Sequence, residues 1–260
     1  MSFVANEGCR IHYIVEGEGP PLVLHHWSFA SLDFWYDFGY VEALAGMHRL
    51  LLLDSRGHGR SDAPHDTAAY GPQTRVGDVT AVLDDVGVDR AAFFGYSMGG
   101  WIGFCMAAYA PDRLSALLIG GQHPQAQDLS GLRDFLRIGV EQGAAAFVAS
   151  WESQIGPLME DQRNRMLAYD FVAMTAAAQD RESLEFALPR IAVPCLVFAG
   201  DQDPAYPLAR ESAQAIPGAT FVSFAGLDHG GVIARSDLVV PVLHSFLNPE
   251  TRSSIQQTTH

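Results

Sequence analysis

Ser97 stands in Gly95-Tyr96-Ser97-Met98-Gly99, between the apolar run Ala91-Ala92-Phe93-Phe94 and a helical run that starts near Met98. A serine at a sharp strand-to-helix turn has its hydroxyl pushed out of the fold, and glycines at 95 and 99 remove the side chains that would clash there. The first helical amide, that of Met98, then points at the oxygen of a carbonyl that the serine would attack. A serine hydroxyl is a poor nucleophile alone. It needs a base within hydrogen-bond reach, and the base needs a partner that fixes its tautomer. Downstream, Gly200-Asp201-Gln202-Asp203-Pro204 follows one strand-like run, and Leu227-Asp228-His229-Gly230-Gly231 follows another. Ten histidines are present, so position decides: the place after the last strand favours His229 as base over His58, His65 or His244. Asp201, Asp203 and Asp228 are the candidate acids at this point.

These residues need a frame that brings three distant segments to one place. Residues 3–5 and 10–15 read as strands joined by a turn at 6–8. Short apolar runs at 22–25, 50–53, 91–94, 114–119, 195–199 and 220–224 read as further strands, several without polar alternation and so buried on both faces. Helical spacing lies between them. Phe34, Phe38, Val41 and Ala45 predict one helix. Val76, Val79, Val82, Leu83 and Val86 predict another, stopped at Gly87. Helices are also expected over 98–109 and 206–215, and a last one ends near Leu247, with Pro241 either starting or kinking it. Strand–helix alternation implies a doubly wound, mostly parallel α/β sheet. Functional groups gather at the carboxyl ends of such strands, which is where Ser97, Asp203 and His229 fall.

The alternation stops near Gly120-Gly121 and resumes at Pro194. Between them come helical runs such as 132–140 and 144–151 and no convincing strand. The expected division is a core of residues 1–122 and 189–248, a small helical cap at 123–188 inserted after the sixth strand, and a loose polar tail at 249–260. Trp151, Phe135, Phe147, Met159 and Met166 line the underside of the cap or form its own core. Gln122 and His123 follow the sixth strand and face a pocket or hold a loop.

Composition narrows the function classes. The 260 residues carry a net charge of −14, with 30 acidic and 16 basic residues. That balance argues against nucleic acid and anionic membrane as partners. No lysine occurs, which removes Schiff-base chemistry. Cys9, Cys105 and Cys195 lie far apart and read as thiols of a reducing compartment, with Cys9 in an exposed turn. The first residues have neither a basic flank nor a long apolar run, so the expected location is cytoplasmic, without signal peptide or membrane span. Metal-ligand spacings and phosphate-loop motifs are missing from the sequence, and neither metal nor cofactor is expected.

The order Ser, acid, His on such a sheet resembles the α/β-hydrolase fold family, from Phe3 to Leu247. Asp54-Ser55-Arg56-Gly57-His58-Gly59-Arg60-Ser61-Asp62 is similar to the family's D-x-R-G-x-G-x-S stretch, and Gly95–Gly100 to its nucleophile elbow. The resemblance implies Ser97 as nucleophile, His229 as base and Asp203 as acid. A serine at this position speaks against the dehalogenase and epoxide hydrolase branches, which place aspartate there. The resemblance also implies an oxyanion hole of two amides, Met98 and Trp27. The family usually has His-Gly-x after the third strand. This chain has His25-His26-Trp27, so His26 fills the glycine slot and either carries strain or marks a different loop, with a second imidazole near the pocket mouth. Arg56, His58 and Asp62 are expected to build the turn after the fourth strand. The implied activity is hydrolysis of a small ester or lactone through an acyl-enzyme, as in small carboxylesterases and enol-lactone hydrolases. Carbon–carbon bond hydrolases, thioesterases, perhydrolases and cofactor-free lyases share these parts, and a small-molecule receptor with little turnover is the alternative of another class.

Overall fold

A computed structural model describes residues 2–252. The strands are β1 (Ser2–Asn6), β2 (Cys9–Glu16), β3 (Pro21–His25), β4 (Arg49–Leu53), β5 (Ala91–Tyr96), β6 (Leu114–Gly120), β7 (Cys195–Gly200) and β8 (Thr220–Phe224). They form one sheet in the order β1-β2-β4-β3-β5-β6-β7-β8. β1 and β2 make an antiparallel hairpin, β2 runs antiparallel to β4, and the remaining neighbours are parallel. This is the α/β-hydrolase arrangement that the sequence predicts.

The buried strands present alternate residues to two layers, as a period of two demands. One face carries Val23, Leu51, Phe93, Leu117 and Val197, covered by α3 (Pro72–Asp85), α4 (Met98–Tyr109) and α9 (Tyr206–Ala215). The other carries Leu24, Leu52, Phe94, Leu118 and Phe198, covered by α1 (Asp33–Asp37), α2 (Tyr40–Leu44) and α11 (Ser236–Leu247). Burying each such side chain contributes about 1.5–3 kcal/mol before the entropy of ordering it is subtracted.

Register brings the strand ends to one rim. His25 pairs with Gly95, Tyr96 with Gly120, Gly120 with Phe198, and Gly200 with Phe224. The chain leaves β3 toward β4 on one side and β5 lies on the other, so the topological switch sits between β3 and β5.

Four helices lie between β6 and β7: α5 (Ser130–Gln142), α6 (Ala144–Ile155), α7 (Glu160–Leu167) and α8 (Phe171–Ala177). They have an apolar cluster of their own around Leu136, Phe147, Val148, Met166, Phe171 and Met174.

Several expectations are corrected. The helix expected over Phe34–Ala45 is two helices, because Gly39 adopts φ +76° and breaks the turn between them. The last helical region is also two, α10 (His229–Ala234) and α11, and Pro241 lies inside α11. Cys9 opens β2 and is buried, its thiol facing the Asp62 carbonyl. Of the predicted loose tail, Arg252 turns back to donate to the Phe246 carbonyl, and residues 253–260 lie outside the described residues. Among the described residues no helix is long and apolar enough to cross a membrane.

Candidate active site

Ser97 links β5 to α4 with φ +52° and ψ −114°, a conformation that costs on the order of 1–3 kcal/mol for a residue with a Cβ. Its amide donates to the Gly120 carbonyl (2.9 Å) and its carbonyl accepts from the Trp101 amide (2.9 Å) and from Gln122 Nε2 (3.2 Å). Those bonds hold the strained turn. A side chain at Gly99 would overlap the His25 carbonyl oxygen, so glycine there lets the start of α4 abut the loop that carries Trp27. Met98 is the first residue of α4, where an amide has no intrahelical acceptor.

Asp203 follows β7 and is almost wholly buried. Its Oδ1 accepts from the Ala205 amide (2.8 Å) and its Oδ2 meets His229 Nδ1 at 2.8 Å. A carboxylate cannot donate, so the His229 proton sits on Nδ1 and the lone pair on Nε2. The His229 side chain is 42% exposed. Its carbonyl accepts from the Tyr96 hydroxyl (2.6 Å), and the two rings lie 5.3 Å apart. The imidazole therefore touches the residue that precedes Ser97. Among the described residues no hydrogen bond closes Ser97 Oγ to His229 Nε2; such bonds commonly tighten only when substrate binds.

The two competing carboxylates have other work. Asp201 accepts from the Gly226 amide (2.8 Å) and ties together the loops after β7 and β8. Asp228 accepts from the Gly231 amide (2.7 Å) and caps α10. A side chain at Gly200 would overlap the Leu227 carbonyl, so that glycine lets the His229 loop close onto the end of β7.

His26 is fully buried, not at a pocket mouth, and its φ is not positive. The Ser55 amide donates to its Nε2 (3.0 Å), which forces the proton onto Nδ1, and Nδ1 donates to the Trp27 carbonyl (2.8 Å). Burial pushes its pKa below the usual imidazole value. His26 thus pins the Trp27 loop to the turn after β4. His25 is buried as expected, bonded to the His26 carbonyl and stacked on Phe93.

That turn is organised by Asp54, which accepts from His12 Nδ1 (2.8 Å) and from the Leu32 and Arg60 amides. Burial alone would raise its carboxyl, but the His12 bond and the two amides outweigh it and hold it below the usual range. Arg56 is paired with Asp78 through two bonds, and Arg10 with Asp62, so both motif residues are structural. His58 does more than build the turn: it lines a small cavity with Met98, Ser28, Phe29, Leu132, Leu136 and Met174, between core and cap.

The remaining pocket candidates hold loops or pack. Gln122 is buried, and its Oε1 accepts from the His123 amide and Gln127 Nε2. His123 is half-buried, and burial lowers its pKa. Trp151 packs in the cap's aromatic cluster, 4.8 Å from Phe29 and 6.1 Å from Phe147. Phe29 escaped the sequence reading. It adopts φ +62° two residues after Trp27, drives its ring into the cap cluster, and accepts from the Tyr169 hydroxyl (2.6 Å). A bulky residue with positive φ leaves no sequence signal. Among the described residues no cluster of three or more His, Cys, Asp or Glu could hold a metal ion.

A family profile described as the alpha/beta hydrolase fold matches residues 20–177. The chain belongs to that family. The crystal structure of the enol-lactonase from Burkholderia xenovorans LB400 is 28% identical and superposes with a TM-score of 0.83, over 95% of this chain and 99% of that one. A putative 2-succinyl-6-hydroxy-2,4-cyclohexadiene-1-carboxylate synthase of Bacillus subtilis (strain 168) is 28% identical over 233 residues, 78% of this chain and 81% of that protein. A putative carbamate hydrolase of Azorhizobium caulinodans is 28% identical over 238 residues, 84% of this chain and 88% of that protein. Membership of this family marks the chain as a hydrolytic enzyme acting on a small molecule.

Proposed function

We propose that this enzyme is a serine hydrolase that cleaves small carboxylic esters or lactones through an acyl-enzyme on Ser97. The carrying observation is the Asp203–His229 bond of 2.8 Å, which leaves the Nε2 lone pair free, on an imidazole that touches Tyr96, the residue before the serine in its strained turn. In this reading His229 Nε2 takes the Ser97 proton as Oγ attacks the carbonyl carbon. The oxyanion is received by the Met98 and Trp27 amides, each worth about 100- to 1000-fold in rate. The tetrahedral intermediate collapses, and His229 returns the proton to the departing alkoxide, which in a lactone stays tethered to the acyl group. Water, deprotonated by the same imidazole, then releases the acid and restores Ser97. The similarity to an enol-lactonase over nearly the whole chain supports the lactone side of the reading.

The test is turnover of p-nitrophenyl acetate and of a panel of lactones by wild type and Ser97→Ala. Loss of about 10⁴-fold or more in kcat, with a pre-steady-state burst in wild type, is the expected result. Undiminished turnover in Ser97→Ala would remove the covalent mechanism. Tight binding of a small molecule with no turnover would favour a receptor.

A further inference from the structure

A second cavity, of about 370 Å³, runs along the flank of α4. Trp101 and Tyr109 of α4, Tyr70 just before α3, Arg75 in its first turn, and Arg181 on the chain returning from the cap form its walls; neither Ser97 nor His229 lines it, although Arg181 also lines the small cavity beside His58 and Met98. Its volume falls in the range of small-molecule sites, roughly 300–1,000 Å³.

Two guanidinium groups face this space without a carboxylate partner. Arg75 is 3% exposed. It donates to the Tyr70 and Ala177 carbonyls (3.1 and 2.8 Å), to Ser55 Oγ (3.3 Å) and to Met98 Sδ (3.7 Å), all neutral acceptors. Arg181 donates from Nη1 to Gln127 Oε1 (2.8 Å) and lies over the Trp101 ring, 4.7 Å from its centre. Its Nε and Nη2 donate to nothing among the described residues. Arg181 is half-buried. Arg56 shows the contrast with Arg75: it is equally buried, and the fold supplies Asp78 as a bidentate partner. Buried charges are ordinarily paired in this way.

Burial lowers the Arg75 pKa to about 10 and that of Arg181 to about 9, the latter also pushed down by the Arg75 charge. Both groups stay charged at neutral pH. Two carboxylates reach the same cavity. Asp180 is engaged by Arg133 (2.7 Å) and the Leu129 amide (2.9 Å). Glu182 is exposed and forms no ion pair among the described residues.

We propose that this cavity is a binding site for a small organic carboxylate, separate from Ser97. The carboxylate takes the free Nε and Nη2 donors of Arg181, in the planar geometry that suits a guanidinium. A flat apolar body lies against Trp101 and Tyr109. Arg75 stands behind and adds its charge. The proposal does not depend on the role of Ser97.

The experiment is calorimetric titration of the full chain with benzoate and with inorganic phosphate, for wild type, Arg181→Gln and Glu182→Gln. Benzoate should bind wild type more tightly than phosphate does. Arg181→Gln should weaken it about tenfold or more, the loss of a charge-assisted pair. Glu182→Gln, at an exposed position, should fold normally and tighten it about twofold by removing an opposing charge. Absence of benzoate binding at about 10 mM, phosphate binding as tight as benzoate, or affinities unchanged in Glu182→Gln would each overturn the proposal. Benzoate inhibition of ester turnover that is purely competitive would also overturn it, because the anion would then occupy the catalytic pocket.

Discussion

Replacing His26 by alanine tests whether a buried imidazole holds the Trp27 amide, the second proposed oxyanion donor, in place. The side chain is 0% exposed and makes two bonds, one from the Ser55 amide to Nε2 and one from Nδ1 to the Trp27 carbonyl. Truncation leaves the Ser55 amide buried without an acceptor, which costs roughly 1–3 kcal/mol, and the lost bond to Trp27 adds about 1 kcal/mol. The vacated ring volume adds a cavity cost of about 1–2 kcal/mol. The expected total, about 3–6 kcal/mol, is a large share of a typical domain stability of about 5–15 kcal/mol and should lower Tm by roughly 10 °C or more. On the proposed mechanism, the freed Trp27 loop should also cost activity on ester substrates, with kcat falling at least about tenfold and KM changing little, because the amide would act on the oxyanion and not on the bound ester. His26→Gln separates the two roles. Its amide oxygen reaches the place of Nε2 and can accept from Ser55, so it should recover about half of the lost stability. The assays are urea denaturation and steady-state turnover of p-nitrophenyl acetate. A His26→Ala protein with wild-type Tm and kcat would refute the reasoning. So would a His26→Gln protein less stable than His26→Ala.

Two further expectations follow from buried or strained groups. Phe29 holds φ +62° and its ring packs in the cap cluster; Phe29→Gly relieves the strain that Phe29→Ala keeps, so the glycine variant should be the more stable by about 1 kcal/mol in denaturation, and the reverse order would refute the strain. Burial pushes the His58 imidazole down to about 3, against 6.5 in the unfolded chain; the unfolded state then binds more protons between those values, so stability falls as pH drops from 6.5 toward 3, by about 1.4 kcal/mol per pH unit. His58→Gln should flatten the loss between pH 7 and pH 5 by about 2 kcal/mol, and an unchanged slope would show that His58 does not resist protonation.

The sheet was legible because each strand is a short apolar run bounded by turn residues, and runs such as Leu50–Leu53 have no other use than burial between two layers. The Asp203–His229 pairing was legible because each residue follows a strand, β7 and β8, whose ends share a rim. Contacts between residues far apart in sequence were not. The helix break at Gly39 hides inside a regular apolar spacing. The role of His26 depends on an amide 29 positions away, and that of Arg75 on a carbonyl 102 positions away. Sequence places such residues on elements, but the partner is decided only when the elements pack.

Phe29 joins two of these hidden contacts into one device. Its backbone lies two residues from Trp27, while its ring belongs to the cluster of Phe147 and Trp151 and its carbonyl accepts from Tyr169 in the cap. On the other side, His26 anchors the same loop to the turn after β4. The Trp27 loop is therefore held between an attachment to the core and an attachment to the cap. Met98, by contrast, starts α4 directly after Ser97, whose backbone bonds to Gly120 and Trp101 tie it to the core. Of the two proposed oxyanion donors, one thus follows a core strand, and the other lies on a loop packed against the cap through Phe29.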